Sequence, residues 1–474
     1  MRKLLCFTSF LSLLLVVPTA ALPGSAAGAE TPDWRAGLAK IVITPDEPIW
    51  MSGYAQRNKP SEGKIHDLHA KALALQDTRR NRLVLVTTDL LGLPRSLSDS
   101  IARQVEARYR LPRANLVLSS SHTHTGPVVR QSLVGSYGLD AEQSARVQRY
   151  GEKLQEKIVT VVGEALANLT PAKVSFGRAE AHFGVNRREP TAAGVKLGIN
   201  RNGPVDPDVF LLRVDAPEGR LRSIVMSYAC HNTTLTGNFY QIAGDYSGFA
   251  QETLERTYPE ALALFVMGCG GDIDPQPRGT LDLARQHGEE LAGAVKKALQ
   301  GSFSPVRGPL KARFERFMIP LAPSPSREEY QARLNDRDVF IKRHAERMIA
   351  RMEGARDASF KTIGIRDGRL LSEYPYTLQV LQFGKDLTVV ALAGEVVVDY
   401  ALRLKRELGS QGLWVAAYCN DVFAYIPSAR VLKEGGYEAD RSMIYYDMPG
   451  PWAPQIEEII IQRVHRQVRH VGRQ

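Results

Sequence analysis

The chain contains little cysteine: four residues in 474, at positions 6, 230, 269 and 419. Small extracellular domains that depend on disulfides carry a dense and usually even set of cysteines, so this class of scaffold is excluded. If Cys6 is lost with the leader described below, the three remaining cysteines allow at most one disulfide and leave one free thiol. The fold must therefore be stabilised by a hydrophobic core.

Long apolar runs are absent after the first twenty or so residues. The early segment from Leu4 to Val17 is uncharged, follows two basic residues and precedes the small residues Ala27-Gly28-Ala29. This pattern is typical of a secretory signal peptide, whereas a membrane-spanning helix needs about 20 apolar residues. We predict a cleaved signal peptide over residues 1–29 and an exported, soluble chain, periplasmic or secreted. An uncleaved N-terminal anchor is the alternative.

Blocks of charge of one sign are missing too. The 61 basic and 51 acidic residues give a formal charge of +10, but they are interleaved, as in Lys342-Arg343-His344-Ala345-Glu346-Arg347. Such mixing indicates a solvated helix face rather than a nucleic-acid patch, so no nucleic-acid partner is expected. The positive charge would favour an anionic surface such as lipid head groups, which leaves peripheral membrane contact open. The oligomeric state is not predicted.

What the chain does contain is ordinary for a globular protein: 44% hydrophobic and 24% charged residues. Short apolar runs bounded by turn residues predict buried strands, and stretches with helical spacing lie between them. The predicted strands are 82–88, 115–119, 223–229, 262–267, 387–393 and 413–417. The predicted helices are 96–110, 141–169, 247–256, 281–299, 396–408 and 454–468.

This alternation predicts a mixed α/β fold. We expect one large catalytic domain over residues 30–474, built of two strand-helix lobes around central sheets with outer helices. The strongly charged segment 326–356 has helical spacing and predicts an inserted amphipathic surface helix, or helix pair, between the lobes. Three prolines, Pro320, Pro323 and Pro325, precede it and place a lobe boundary near residue 325.

A pair of histidines follows the predicted strand 115–119. Residues two apart on a strand point to the same side, so the imidazoles of His122 and His124 are expected to face one space. Gly126-Pro127 ends the strand and leaves the pair at its carboxyl end, where α/β sheets commonly bind ligands. Neutral imidazole is a natural zinc ligand, so the motif predicts a metal site. Two hydrogen-bonded core histidines are the alternative.

Polar residues follow three other predicted strands. His231 follows strand 223–229, and Glu395 follows strand 387–393, where an unpaired buried carboxylate would be costly. The glycine-rich turn 268–274 follows strand 262–267 and allows close approach of a ligand, but it lacks the closing Lys-Ser/Thr of a phosphate-binding loop. Taken alone, His231 is compatible with a core histidine and Glu395 with a helix N-capping acid.

Taken in chain order, these motifs resemble the neutral/alkaline non-lysosomal ceramidase family over essentially the whole mature chain. Each piece is weak, but the ordered set is specific. The matching segments are Met51-Ser52-Gly53-Tyr54-Ala55, Ile65-His66, Ser121 to Pro127, Val185-Asn186-Arg187, His231, Gly244 to Ala250, Gly271-Asp272-Ile273-Asp274-Pro275, Gly394-Glu395, Asn420 to Tyr425 and Tyr437-Glu438.

The resemblance implies a zinc-dependent amidohydrolase with one zinc per chain. The ligands that it implies are His122, His231, Glu395 and Tyr425. A tyrosine is an unusual zinc ligand, and a core aromatic residue, or a cysteine thiolate in its place, is the alternative for Tyr425.

The resemblance also implies which residues surround the substrate. His124 would exchange protons, while Arg187 and Tyr437 would stabilise the oxyanion that forms at the substrate carbonyl. The turn containing Gly271, Asp272 and Asp274 would bind the substrate near its polar head group.

Two departures from the family bear on the substrate. The family has a serine where this chain has Asp274, and an aspartate there would select a substrate with an amine or several hydroxyls, or abolish activity on ceramide. The family's C-terminal immunoglobulin-like domain is also expected to be missing.

Three functions therefore stand open. The first is a zinc-dependent hydrolase of the amide bond of an N-acylated substrate, with a ceramide-like sphingolipid as the default. The second keeps the zinc but hydrolyses an ester, a lactone or a carbohydrate-derived amide. The third is a catalytically silent binding protein on the same scaffold.

Overall fold

A computed structural model describes residues 33–129, 133–354, 365–366, 369–370 and 372–473, together with residue 8. Residues Pro32–Gln474 form one compact unit. The predicted signal peptide lies outside the described residues, apart from Thr8, and remains a prediction. None of the described helices combines the length and the apolar character that crossing a membrane requires.

The described helices are α1 Arg95–Tyr109, α2 Val134–Tyr137, α3 Ala141–Ala167, α4 Asp245–Thr257, α5 Leu281–Leu299, α6 Arg327–Arg333, α7 Val339–Met352, α8 Val398–Leu408, α9 Ala429–Glu434 and α10 Ile456–Val471. Six of the ten described helices lie close to predicted ones, two form the charged segment, and α2 and α9 were not predicted. The charged segment after residue 325 forms the helix pair α6 and α7, and Ser326 begins it with a capping box in which its side chain and that of Glu329 each bind the other's backbone amide.

The strands outnumber those predicted. They are β1 Trp34–Val42, β2 Gly63–Lys64, β3 His69–Asp77, β4 Arg82–Thr88, β5 Leu116–Ser120, β6 Thr170–Glu180, β7 Gly184–Thr191, β8 Gly194–Asn200, β9 Asp208–Asp215, β10 Leu221–Tyr228, β11 Gln241–Ile242, β12 Leu262–Met267, β13 Ile273–Pro275, β14 Ser304–Pro305, β15 Leu310–Pro320, β16 Ile365–Arg366, β17 Arg369–Leu370, β18 Glu373–Phe383, β19 Leu387–Leu392, β20 Glu395–Val396, β21 Leu413–Ala416 and β22 Tyr425–Ile426.

Two large mixed sheets organise these strands. The first has the order β12-β10-β9-β6-β1-β3-β4-β5, with β14 paired to β6, and it is parallel only at β10/β12 and β4/β5. The second has the order β15-β18-β19-β21 and is parallel only at β19/β21. The mixed α/β class is therefore confirmed. The six predicted strands are those of the parallel pairs, β4/β5, β10/β12 and β19/β21.

The two large sheets pack face to face, and helices cover their outer faces. Val389 of β19 packs in the apolar layer between the sheets, together with Leu85 of β4. Its neighbour Val390 points the opposite way and packs in another apolar layer with Leu404 of α8 and Ile460 of α10. This alternation is the period-two geometry of a strand buried on both faces. On the first sheet, α1 and α3 cover β3, β4 and β5.

The ends of the parallel strands meet at one place. The chain leaves β5, β10, β12, β19 and β21 into the segments that carry the predicted site residues. Isolated bridges join these segments: Ser119 pairs with Cys419, and Thr123 pairs with Asn232. The short parallel pair β20/β22 sets Glu395 directly beside Tyr425. All three cysteines in the described part of the chain, Cys230, Cys269 and Cys419, are buried and unbridged.

One local prediction is wrong. The strand that precedes His122 ends at Ser120, and His122 itself has a positive φ of 63°, so the two histidines do not lie on a strand. They face one space because the chain turns sharply there. The backbone amide of His122 donates to Leu90 O, and that of His124 donates to Asn232 O.

The core of the first sheet should dominate stability. Ile224 of β10 is 1% exposed, whereas Ile199 of β8 is 46% exposed. We expect Ile224→Ala to lower the free energy of unfolding by about 2–5 kcal/mol through lost burial and a residual cavity. Ile199→Ala, the matched control, should change it by less than about 0.5 kcal/mol. Urea denaturation measures both, and equal effects would contradict this assignment of the core.

Candidate active site

His122 and His231 are anchored in the same way. The Nδ1–H of His122 donates to Leu91 O at 2.6 Å, and the Nδ1–H of His231 donates to Gly270 O at 2.7 Å. A carbonyl oxygen can only accept, so these contacts place a proton on Nδ1 of each ring, and a neutral ring then carries its lone pair on Nε2. Each Nε2 is left as a lone-pair donor that points into the site. This is the arrangement that orients metal-binding histidines in proteins.

Glu395 lies between these two nitrogens. Its Oε2 is 3.1 Å from Nε2 of His122 and 3.0 Å from Nε2 of His231. The side chain is 2% exposed. Burial alone would raise the pKa of this carboxyl, whereas positive charge on His122 and His231 lowers it well below its usual range. With both imidazoles neutral, a bound cation would have to supply that positive charge. Glu395 is not a helix N-capping acid, the alternative that the sequence left open, because the N-cap residue of α8 is Val397.

Glycines shape the backbone around Glu395. Gly394 has a φ of +80°, a left-handed conformation that favours glycine, and a Cβ there would lie 2.9 Å from Ala424 O. Gly271 approaches Glu395 so closely that a Cβ would lie 2.7 Å from its carbonyl oxygen. The predicted role of Gly271 in substrate binding is untested, but its position beside this backbone is clear.

Tyr425 and His124 complete the cluster. The hydroxyl of Tyr425 is 3.3 Å from Nε2 of His231 and accepts a hydrogen bond from Arg187. Nε2 of His124 is 3.1 Å from Nε2 of His122. The three histidines form a buried group whose donor atoms lie within 4.8 Å of one another and could hold a metal ion.

His124 differs from the other two histidines in its surroundings. Its Nδ1 is buried and has no hydrogen-bond partner among the described residues. The structure thus separates two anchored imidazoles from a third that no carbonyl fixes. Burial, followed by the neighbouring His122 and His231, lowers the pKa of His124 well below its usual value, so the ring is neutral at pH 7.

Arg187 is held by two carboxylates. Its Nε donates to Glu438 at 2.8 Å and its Nη1 donates to Asp274 at 3.1 Å. The other oxygen of Glu438 accepts from the buried Arg188 at 2.7 Å. Burial would lower the pKa of Arg187, but Tyr425, Asp274 and Glu438 raise it well above its usual value. The guanidinium therefore stays charged, and its Nη2 faces Tyr425.

Asp274 is fully engaged. It accepts hydrogen bonds from Arg187, from Arg278 at 2.7 Å and from Thr233 at 3.1 Å. Burial would raise the pKa of this carboxyl, but the two arginines lower it to about 2. The Asp274 carboxylate is already paired with two arginines of the pocket wall. Its contacts therefore give no support to the expectation that it selects a substrate with an amine. Arg278 also donates to the hydroxyl of Tyr54.

Two predicted residues differ in their access to the cavity. Tyr437 lines it, with its ring 5.5 Å from that of Tyr425. Asp272 is fully buried behind Arg187: its side chain accepts from Val398 N and from Asn186, and its carbonyl accepts from Arg187 N. Burial raises the pKa of Asp272 to about 6. Its contacts are those of a residue that positions others.

The cluster opens into a cavity of about 260 Å³. Polar side chains of the site form one part of its wall, and apolar side chains form another. The apolar and aromatic lining includes Leu91, Leu133, Tyr137, Leu197, Phe340, Tyr445 and Tyr446. Sequence patterns did not indicate Tyr446, whose hydroxyl donates to Oε1 of Glu395, or Arg278, and they gave Tyr54 no role of its own. Tyr446 and Arg278 lie in loops without a periodic pattern, so no local signal pointed to them.

Comparison with known proteins gives one family. Residues 34–311 match the family described as "Neutral/alkaline non-lysosomal ceramidase, N-terminal". The neutral ceramidase of Pseudomonas aeruginosa is 25% identical over 281 residues, covering 56% of this chain and 41% of that protein. Neutral ceramidase B of Dictyostelium discoideum is 23% identical over 243 residues, covering 48% and 33%. The match thus spans less than half of these relatives.

The fold resemblance extends further along the chain. A crystal structure of neutral ceramidase from Pseudomonas aeruginosa superposes with a TM-score of 0.70 at 19% identity, covering 91% of this chain and 73% of that one. A structure titled "Ceramidase complexed with C2" gives a TM-score of 0.69 at 18% identity, covering 91% and 74%. At 91% of the chain, the shared fold extends beyond residues 34–311 into the C-terminal part of the chain.

The low pKa of Asp274 predicts a pH-dependent contribution to stability. A folded-state pKa of about 2 against 3.8 means that the ionised form stabilises the fold by about 2 kcal/mol above pH 4. This contribution is lost as pH falls through the folded pKa. We expect Asp274→Asn to be less stable than wild type at pH 7, with a difference that shrinks toward pH 3 in urea denaturation. Asp33→Asn, at an exposed position, should show no such trend.

Proposed function

Because the chain belongs to the neutral/alkaline non-lysosomal ceramidase family, we propose that it is a zinc-dependent hydrolase that cleaves the amide bond of an N-acylated, ceramide-like lipid. One observation carries the proposal: two imidazole nitrogens, a carboxylate oxygen and a phenol oxygen converge in a buried site. The residues that would hold the zinc are His122, His231, Glu395 and Tyr425.

The donor set fits such an ion. With both Nδ1 protons directed at carbonyls, two Nε2 lone pairs and the Glu395 carboxylate face one another, an arrangement that is repulsive unless a cation lies between them. Zinc–ligand bonds of about 2.0–2.1 Å in tetrahedral geometry place neighbouring donor atoms about 3.3 Å apart. The separations here are 3.0, 3.1 and 3.3 Å.

When bound, zinc supplies Lewis acidity and lowers the pKa of water to about 7. The remaining chemistry belongs to the chain's own residues. His124, which is neutral and 3.1 Å from the His122 nitrogen, can accept a proton at Nε2 and return it to the leaving amine. Because no carbonyl fixes its ring, His124 can exchange protons without giving up a structural hydrogen bond.

Arg187 and Tyr437 are the candidates for binding the developing oxyanion. Arg187 is permanently charged and is fixed by Glu438 and Asp274, so its orientation needs no reorganisation during the reaction. Tyr437 presents its ring to the same part of the cavity, and the guanidinium lies 5.7 Å from it. Each donor of this kind is worth roughly 3–4 kcal/mol of transition-state stabilisation.

The cavity lining supports a substrate with an apolar chain. Leu133, Leu197 and Phe340 provide apolar surface next to the polar site. Leu197 is 50% exposed, so this surface continues to the outside of the molecule. If the predicted signal peptide operates, the substrate would be met outside the cytoplasm.

A second candidate keeps the metal and changes the substrate to an ester, a lactone or a carbohydrate-derived amide. The pair Asp274–Arg278, which lines the cavity together with Tyr54, favours it, because it makes one wall more polar than a serine would. A silent binding protein is the third candidate.

Removal of one ligand should remove both metal and activity. We expect wild type to contain about one zinc per chain by mass spectrometry and to lose activity on chelation. His122→Ala and Glu395→Gln should lose the zinc and lower activity by more than the 10–100-fold typical of losing an outer-shell partner. His465→Ala, a surface histidine paired with Glu407, is the control and should keep both. Folded wild type without zinc, and with activity indifferent to chelators, would refute the proposal.

The substrate is tested with a panel of acylated compounds. We expect hydrolysis of a fluorescent N-acylsphingosine and slower turnover of a water-soluble amide, ester and lactone. Turnover of the ester or lactone without turnover of ceramide would favour the second candidate, and bound zinc without any hydrolysis would favour the third. A gain of ceramide hydrolysis in Asp274→Ser would assign the head-group preference to position 274.

A further inference from the structure

Glu395 presents two different oxygens to its surroundings. Oε2 faces the imidazoles of His122 and His231, while Oε1 accepts a hydrogen bond from the hydroxyl of Tyr446. The backbone of Glu395 is fixed by the β20/β22 pair, but its side chain still has three rotatable bonds. The hydrogen bond from the phenol to Oε1 therefore restrains rotation of the carboxylate and keeps its other oxygen directed at the two histidines.

Tyr446 lies in a loop that has no sheet or helix of its own. It follows the 3-10 helix Arg441–Ile444 and precedes α10 by ten residues. The following residue, Asp447, has a positive φ of 56°. A non-glycine residue in this region persists only where surrounding contacts hold it.

Those contacts come from the charged helix pair. Three successive backbone carbonyls after Tyr446 each accept a hydrogen bond from it: Asp447 O from Arg351, Met448 O from His344 and Pro449 O from Tyr330. His344 and Tyr330 are almost fully buried.

The Asp447 side chain adds to this attachment. It accepts from Arg347 at 2.6 Å, and Arg351 lies 3.7 Å from its second oxygen. The same helix reaches a second wall of the cavity, since Arg347 also donates to Gly135 O at 2.8 Å in α2. Tyr137, the last residue of α2, accepts a hydrogen bond at its hydroxyl from the backbone amide of Gly53, and both residues line the cavity.

We propose that Tyr446 is a positioning residue for Glu395, and that the helix pair α6–α7 holds Tyr446 in place through the backbone of Asp447–Pro449. The charged helix pair therefore helps to position the site and is not only a solvent-exposed surface element. This inference rests on the proposed metal site. It predicts that deleting the Tyr446 hydroxyl weakens metal binding, because the carboxylate can then rotate away from the histidines.

The test measures the zinc dissociation constant by competition with a chromophoric chelator. We expect Tyr446→Phe to bind zinc about 10–100-fold more weakly than wild type, the usual cost of losing an outer-shell partner. The metal-free variant should keep the wild-type circular-dichroism spectrum and a cooperative unfolding transition, so that the weaker zinc binding reports a displaced carboxylate rather than an unfolded chain. Tyr445→Phe, the neighbouring tyrosine, packs on Phe340 and should keep the wild-type dissociation constant.

A second variant acts at a distance. Tyr330→Phe removes only the hydroxyl that binds Pro449 O, and it should weaken zinc binding in the same direction by a smaller factor. If Tyr446→Phe and Tyr330→Phe bind zinc within twofold of a wild type that holds one zinc, the inference is overturned while the proposed function stands. If wild type itself binds no zinc, both are overturned.

Discussion

A buried carboxylate governs the organisation of this molecule. Glu395 is ionised and almost inaccessible to water, and an isolated charge in such a place costs many kilocalories per mole. A phenol that donates to one oxygen offsets part of this cost, while two imidazole nitrogens lie near the other oxygen. Since those nitrogens present lone pairs, a cation between them and the carboxylate would be needed to balance the charge. Loop carbonyls of Leu91 and Gly270 orient the two rings for such a cation.

The second constraint is the chain of buried charges behind the site. Glu438 binds both Arg187 and Arg188, and Arg187 binds Asp274 in turn. Buried ion pairs of this kind add little net stability, because desolvation consumes most of their attraction. What they provide is orientation. Arg187 cannot rotate without breaking its bonds to two carboxylates, so its Nη2, which donates to Tyr425, stays directed at the cavity.

The sequence anticipated the elements that it encodes locally. Strands buried on both faces, such as β4, β12 and β19, are continuous apolar runs and were located to within a residue or two. Strands such as β6 and β15 carry polar residues on an exposed face and form antiparallel pairs with distant segments, so no run marked them. The two histidines do not lie on a strand as predicted, although their rings do face one space. A sharp turn, not strand alternation, brings them together.

By itself, the sequence determined the α/β class, the ordered motifs and the residue types able to bind a metal, because these depend on local pattern and side-chain chemistry. Only the tertiary structure decided how these residues divide their tasks. Carbonyls of Leu91 and Gly270 distinguish two anchored histidines from His124, and pairing with two arginines turns Asp274 into part of the wall. The link from the charged helix pair to Glu395 through Tyr446 joins residues 50 to more than 100 positions apart. Contacts over such separations follow from packing, which no local pattern records.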